Sequence, residues 1–228
     1  MTDRRLKLSY SAVSMYLTCP FKYYLSRRYA PLPKPEFVFG QKVHEVLARF
    51  YSNLRSRFVE DAAVYPLLMR HAQEVLGAEA ASYAYLFRNA QKFELWRRRY
   101  MKLEPEAVEQ KLESDELIGI PDVIFRCNGG GLCVVDWKSG GIPELARVQA
   151  FFYHALTGAD YIIFYSLSRN TKKLFRADEV RSAAGLVEAV RRAIADGRFE
   201  RRKGKHCSDC EYKLFCLIHP ERRLRGVF

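Results

Sequence analysis

An α/β fold is predicted by two changes of texture along the 228-residue chain. Up to about residue 103 apolar side chains recur at helical spacing, and from Ala107 they alternate or run continuously, as strands do. Beyond Lys138 helical and strand-like stretches alternate, the arrangement that layers helices on a sheet. The predicted order is helices, three strands, a helix, two strands and a last helix.

Each element has a local reason. Ser9 or Ser11 offers a hydroxyl cap for a first helix, and Pro31, Pro33 and Pro35 separate it from the next. That second helix carries Phe39, Val43, Val46, Leu47 and Phe50 as one apolar stripe. A helical region over 60–103 holds Tyr83, Tyr85, Phe87, Phe93, Trp96 and Tyr100, most of them expected in the core. Strand-like runs follow at 107–113, 116–127 and 132–138, the last two joined as a hairpin through Asn128-Gly129-Gly130-Gly131. A helix over 144–157, strands over 161–168 and 172–176, and a helix over 178–196 complete the series.

A formal charge of +12, from 38 basic and 26 acidic residues, implies a polyanionic partner, because neutralising phosphates releases counterions. Nucleic acid fits best. The charge gathers at Arg97-Arg98-Arg99, Arg191-Arg192, Arg201-Arg202-Lys203 and Arg222-Arg223, and the first run is a candidate DNA contact. The chain lacks an apolar run of the ~18 residues that would span a membrane and has no secretory signal pattern, so a cytoplasmic location is expected. It also lacks a phosphate-cradling Gly-x4-Gly-Lys motif.

The chemistry concentrates on the second and third strands. Asp136 and Lys138 are two apart in an extended segment, so their side chains share one face while Trp137 points to the other. Asp122 follows Pro121 at a break in the preceding strand, and the hairpin can set it across from Asp136. Two carboxylates then converge on one hard cation, Mg²⁺ or Mn²⁺, which can activate water and relieve charge on a phosphoryl group. Lys138 would orient that water or neutralise the transition state. The backbone carbonyl of Trp137 and a ring nitrogen of His44 are further candidate ligands, the histidine favouring Mn²⁺.

Six cysteines form two sets. Cys207, Cys210 and Cys216 follow a C-x2-C-x5-C pattern and are answered by a distant Cys19-Pro20 step. Four thiolates can hold an iron-sulfur cluster or a structural zinc, and His219 with the three C-terminal cysteines would make a local zinc site. Cys127 and Cys133, in the hairpin, are expected as buried thiols.

The ordered set Gly40-x-x-x-His44, Gly119-x-x-Asp122, Asp136-x-Lys138 and Gln149-x-x-x-Tyr153 resembles the RecB-type branch of the PD-(D/E)xK nuclease superfamily. With the four cysteines, the resemblance narrows to the CRISPR-associated RecB-like iron-sulfur exonucleases, the fourth Cas protein type. It implies a restriction-endonuclease-like core, a mixed sheet flanked by helices, with a helical iron-sulfur lobe. It makes His44, Asp122 and Asp136 metal ligands, Lys138 catalytic, and turns Gln149 and Tyr153 toward the active site or the DNA. Cys19, Cys207, Cys210 and Cys216 would bind the cluster, as 4Fe-4S or 2Fe-2S, and tie the termini together.

The implied division of this single nuclease chain, 1–228, is a helical region 1–103 contributing Cys19 and His44, a core 104–196 and an iron-sulfur segment 197–228. The implied activity is a metal-dependent DNA exonuclease that prefers single-stranded ends and processes DNA for spacer acquisition in antiviral defence, in contact with the CRISPR integrase complex. The alternative from the same branch is a nuclease or DNA-binding scaffold subunit of a helicase-nuclease repair complex. Asp136 stands where many relatives have glutamate, one methylene longer.

Overall fold

A computed structural model describes residues 6–32, 34–101, 104–127 and 130–218. Five strands make the main sheet in the order β2-β5-β6-β7-β8: β2 (Glu104–Val108), β5 (Val123–Arg126), β6 (Leu132–Lys138), β7 (Tyr161–Ser166) and β8 (Thr171–Arg176). Within this sheet β6 and β7 pair in parallel and the other described neighbours antiparallel, so the sheet is mixed. The crossover between them is α6 (Ala146–Thr157), which ends at Gly158 in the left-handed region, φ 71°. The hairpin of β5 and β6 forms as its glycine-rich turn predicts, although Asn128 and Gly129 lie outside the described residues.

Alternation along the strands sorts the layers. Val123, Phe125, Cys133, Val135 and Trp137 face a helical layer built from α3 (Pro35–Ser56), α4 (Asp61–Leu76) and α5 (Ala84–Trp96). Ile124, Val134, Ile162 and Phe164 face α6 on the other side. Trp137 is fully buried, its ring 5.6 Å from Tyr51 and 4.7 Å from Phe93, so β6 presents Asp136 and Lys138 to the α6 side. A third apolar cluster joins α1 (Tyr10–Thr18) and α2 (Pro20–Ser26) to α8 (Ala184–Ala195) and the C-terminal segment.

Helix boundaries follow local chemistry. The Ser9 hydroxyl accepts from the Ala12 N–H at 3.2 Å and caps α1, while Pro20 and Pro35 occupy the first turns of α2 and α3. Two expected helices are interrupted. The helical region from 60 breaks at Gly77, whose φ of 59° ends α4, and a 3₁₀ turn leads to α5. The last predicted helix divides into α7 (Ala177–Val180), a 3₁₀ turn and α8.

The runs 107–113 and 116–127 each split between two sheets, because the β2–β5 ribbon turns a corner. Beyond the corner, β3 (Leu112–Glu113) and β4 (Leu117–Gly119) join β1 (Leu8–Ser9) in a second, three-stranded sheet. At the bend Glu109 adopts φ 48°, and its N–H donates to the Asp122 carbonyl at 2.9 Å. Pro121, with no N–H to give a ladder, immediately precedes Asp122.

The run Arg97-Arg98-Arg99 divides between the core and the surface. Arg97 is 4 % exposed and holds Glu94 with Nη2 at 2.6 Å, and Arg98 grips the same carboxylate at 2.7 Å. Two of the three arginines therefore staple the end of α5, and only Arg99 is exposed to solvent. Among the described residues, no helix is long and apolar enough to cross a membrane.

Candidate active site

The corner between the two sheets gathers the polar residues of the motifs. The register that sets Val123 against Val135 places Asp122 beside the end of β6. Its Oδ2 accepts the Trp137 backbone N–H at 2.6 Å, and its Oδ1 lies 3.1 Å from His44 Nδ1. His44 follows Val43 on α3, so packing of the apolar stripe against the sheet delivers the imidazole to the corner. Gly119 has a steric role here: a Cβ would sit 2.9 Å from Leu156 Cδ1, so glycine lets β4 approach α6 closely.

Asp136, 2 % exposed, anchors the second half of the site. Lys138 Nζ is 2.5 Å from Asp136 Oδ1, a close ion pair inside the buried half of the site. Asp136 Oδ2 accepts from Tyr153 Oη at 2.5 Å and from Gln149 Nε2 at 2.9 Å. Gln149 Oε1 in turn accepts from Lys138 Nζ at 3.0 Å. Gln149 and Tyr153, four apart on α6, thus hold the carboxylate and the ammonium in fixed relation.

Electrostatics couple the two halves. Burial raises the Asp136 carboxyl and Asp122 raises it further, while Lys138 pulls it back. Burial opposes the imidazolium of His44, but Asp122, by charge and hydrogen bond, overcomes this and lifts the group to about 9. The site opens into a cavity of about 760 Å³ lined by Phe37, Gly40, His44, Glu109, Asp122 and Ser139, among others.

Glu109 is absent from the motif-based expectations. Ligand atoms of His44, Glu109 and Asp122 all lie within 4.8 Å of one another. Although Glu109 reaches solvent, desolvation at the cavity and then the charge of Asp122 raise its carboxyl to about 7. Its place depends on the bend between β2 and β3, which no local pattern announced. Tyr10, on α1, is also within electrostatic reach of Lys138 and Asp136; burial raises its hydroxyl.

The donor set suits a hard divalent cation, since it combines carboxylate oxygens with one imidazole. Of Trp137, the N–H is committed to Asp122.

The cysteines lie in a different part of the fold. Cys19 is buried where α1 meets α2, in the same apolar cluster against which Cys210 and Cys216 pack. The Arg202 N–H points to Cys19 Sγ at 3.4 Å, and Arg201 donates to the Cys216 carbonyl at 2.8 Å. Burial raises the Cys216 thiol; Arg201 lowers it, and Cys19, Cys210 and Cys207 raise it again, so the four thiols share one neighbourhood. His219, the rival zinc ligand, lies outside the described residues, as do Arg222 and Arg223. Cys133 is fully buried, its thiol pushed up to about 12, and Cys127 is partly buried.

The sequence pattern of the PD-(D/E)XK nuclease superfamily matches residues 7–217. No curated protein matches the chain. A crystal structure of a protein designated SSO0001 is 16 % identical over 78 % of this chain and 97 % of that one, with a TM-score of 0.35.

Proposed function

Because the chain belongs to the PD-(D/E)XK nuclease superfamily, we propose that it is a divalent-metal-dependent deoxyribonuclease that trims single-stranded DNA ends. We assign it, with an iron-sulfur cluster, to DNA processing in CRISPR spacer acquisition beside the integrase complex. The observation that carries the nuclease reading is the convergence of His44, Asp122, Asp136, Lys138, Gln149 and Tyr153 at one sheet corner.

His44, Asp122 and Asp136 would hold Mg²⁺ or Mn²⁺, with the Trp137 carbonyl as a further ligand. The bound cation supplies a Lewis acid and a nucleophilic water at neutral pH. Lys138 presents a compact positive charge beside Asp136, suited to the negative charge that builds on phosphoryl oxygens. Gln149 and Tyr153 keep Asp136 from rotating away. Phe37, 57 % exposed, lies two helical turns before His44 and lines the same cavity, which supports stacking of an unpaired base near the scissile phosphate.

Cleavage of end-labelled single strands and duplexes tests this function. Single strands should be shortened from an end with Mn²⁺ or Mg²⁺ and left intact with Ca²⁺ or chelator. Undiminished cleavage in excess chelator overturns the metal mechanism, and internal cuts or faster duplex cleavage overturn the preference for single-stranded ends.

For the cluster, Cys19, Cys207, Cys210 and Cys216 are the ligands we propose. Protein purified without oxygen should be brown and contain iron and inorganic sulfide in comparable amounts. Cys19→Ala should bleach it and lower its melting temperature, because ligation across nearly the whole chain restricts the unfolded ensemble. A colourless protein with one zinc, indifferent to Cys19→Ala, would favour the local zinc site.

A further inference from the structure

We propose that Glu109 is a direct ligand of the catalytic divalent cation, completing its coordination with His44 and Asp122 on the cavity side. The inference rests on the nuclease reading above and adds a residue that the motifs do not contain.

Its first support is geometric. A carboxylate oxygen of Glu109, a ring nitrogen of His44 and a carboxylate oxygen of Asp122 lie within 4.8 Å of one another at the cavity wall. One oxygen of Asp122 accepts the Trp137 N–H, and the other, 3.1 Å from His44 Nδ1, is the one that faces the imidazole. Asp136 is engaged by Lys138, Gln149 and Tyr153. A hard cation held by His44, Asp122 and Asp136 has room for a further carboxylate, and Glu109 supplies one on the cavity side.

The second support is the backbone. Glu109 holds φ 48°, a left-handed conformation that glycine or asparagine adopts at less cost. Its N–H donates to the Asp122 carbonyl at 2.9 Å, which locks the bend to the residue carrying the metal-facing carboxylate. If the corner needed only a bend, glycine would serve. A glutamate in this conformation sets a second carboxyl against Asp122, and the groups that act on it by charge are Asp122, His44 and Asp136. Such strain is retained where a side chain has work to do.

Mn²⁺ titration of the full chain, followed by the free-ion paramagnetic resonance signal, tests the assignment alongside thermal melting in chelator. Glu109→Gln should raise the Mn²⁺ Kd by about tenfold or more. Glu113→Gln, a nearby acid already paired with Lys7 and Lys111, should leave it unchanged. Glu109→Gly guards against a folding artefact, since it relieves the backbone strain: it should melt at the wild-type temperature or above, yet bind Mn²⁺ as weakly as the glutamine variant. A merely structural Glu109 would give wild-type Mn²⁺ affinity in Glu109→Gly, and that result overturns the proposal while leaving the nuclease reading intact. If wild-type protein neither binds Mn²⁺ nor cleaves DNA, both fall together.

Discussion

Lys138→Ala should lower the single-turnover cleavage rate by about 10²–10³-fold while leaving the affinity for the same strand nearly unchanged. The ammonium lies 2.5 Å from Asp136 Oδ1 and 3.0 Å from Gln149 Oε1, so it is held by two side chains on different elements. A charge fixed in advance favours the transition state, where negative charge grows, more than the bound ground state. For binding it is one of 38 basic residues, and its loss barely changes the field that attracts the strand. Its removal also takes away the ammonium that pulls down the Asp136 carboxyl, which burial and Asp122 raise. Lys138→Arg should recover little activity, because a planar fork cannot occupy the place of a compact ammonium between Asp136 and Gln149. Rate and affinity are to be measured on one labelled strand, and a wild-type rate in Lys138→Ala removes the residue from the mechanism.

The largest stability effect should come from Glu94→Ala, at about 3–5 kcal/mol. Glu94 has no exposed surface and accepts from Arg97 at 2.6 and 2.8 Å, from Arg98 at 2.7 Å and from the Tyr51 hydroxyl at 3.1 Å. Truncation leaves the buried Arg97 guanidinium without its carboxylate, next to the ring of Phe125. Burial raises the Glu94 carboxyl, but Arg97 and Arg98 outweigh it and hold the group below its ordinary 4.5. A depressed carboxyl stabilises the fold fully above its unfolded pKa, and this contribution disappears as pH falls through the folded value. The difference in urea midpoint between wild type and Glu94→Ala should accordingly be widest near neutral pH and shrink on acidification below about 4.5. A cost under about 1 kcal/mol at pH 7 would show that Glu94 and the two arginines are not a structural network.

Sequence by itself determined the parts that depend on short-range periodicity. In Val134-Val135-Asp136-Trp137-Lys138 the period of two puts Trp137 on one face and the Asp136–Lys138 pair on the other, whatever the strand pairs with. The stripe Val43, Val46, Leu47 and Phe50 likewise fixed which side of α3 would meet the sheet, and so roughly where His44 would emerge. Gly119, Pro121 and Asp122 marked a break in a strand without saying where the chain went next. That was decided by non-local pairing: β5 stays with β6, β4 joins a second sheet, and the corner between them closes around Asp122. Glu109 enters the site only because of that corner, on a backbone conformation that no propensity favours for glutamate. The arginine run shows the same limit with charge. Three adjacent arginines look alike in one dimension, but helical rotation at the end of α5 turns Arg97 into the core toward Glu94 and Tyr51 and leaves Arg99 in water. Local pattern records which way a side chain points relative to its own element, whereas the partner it meets depends on how distant elements pack.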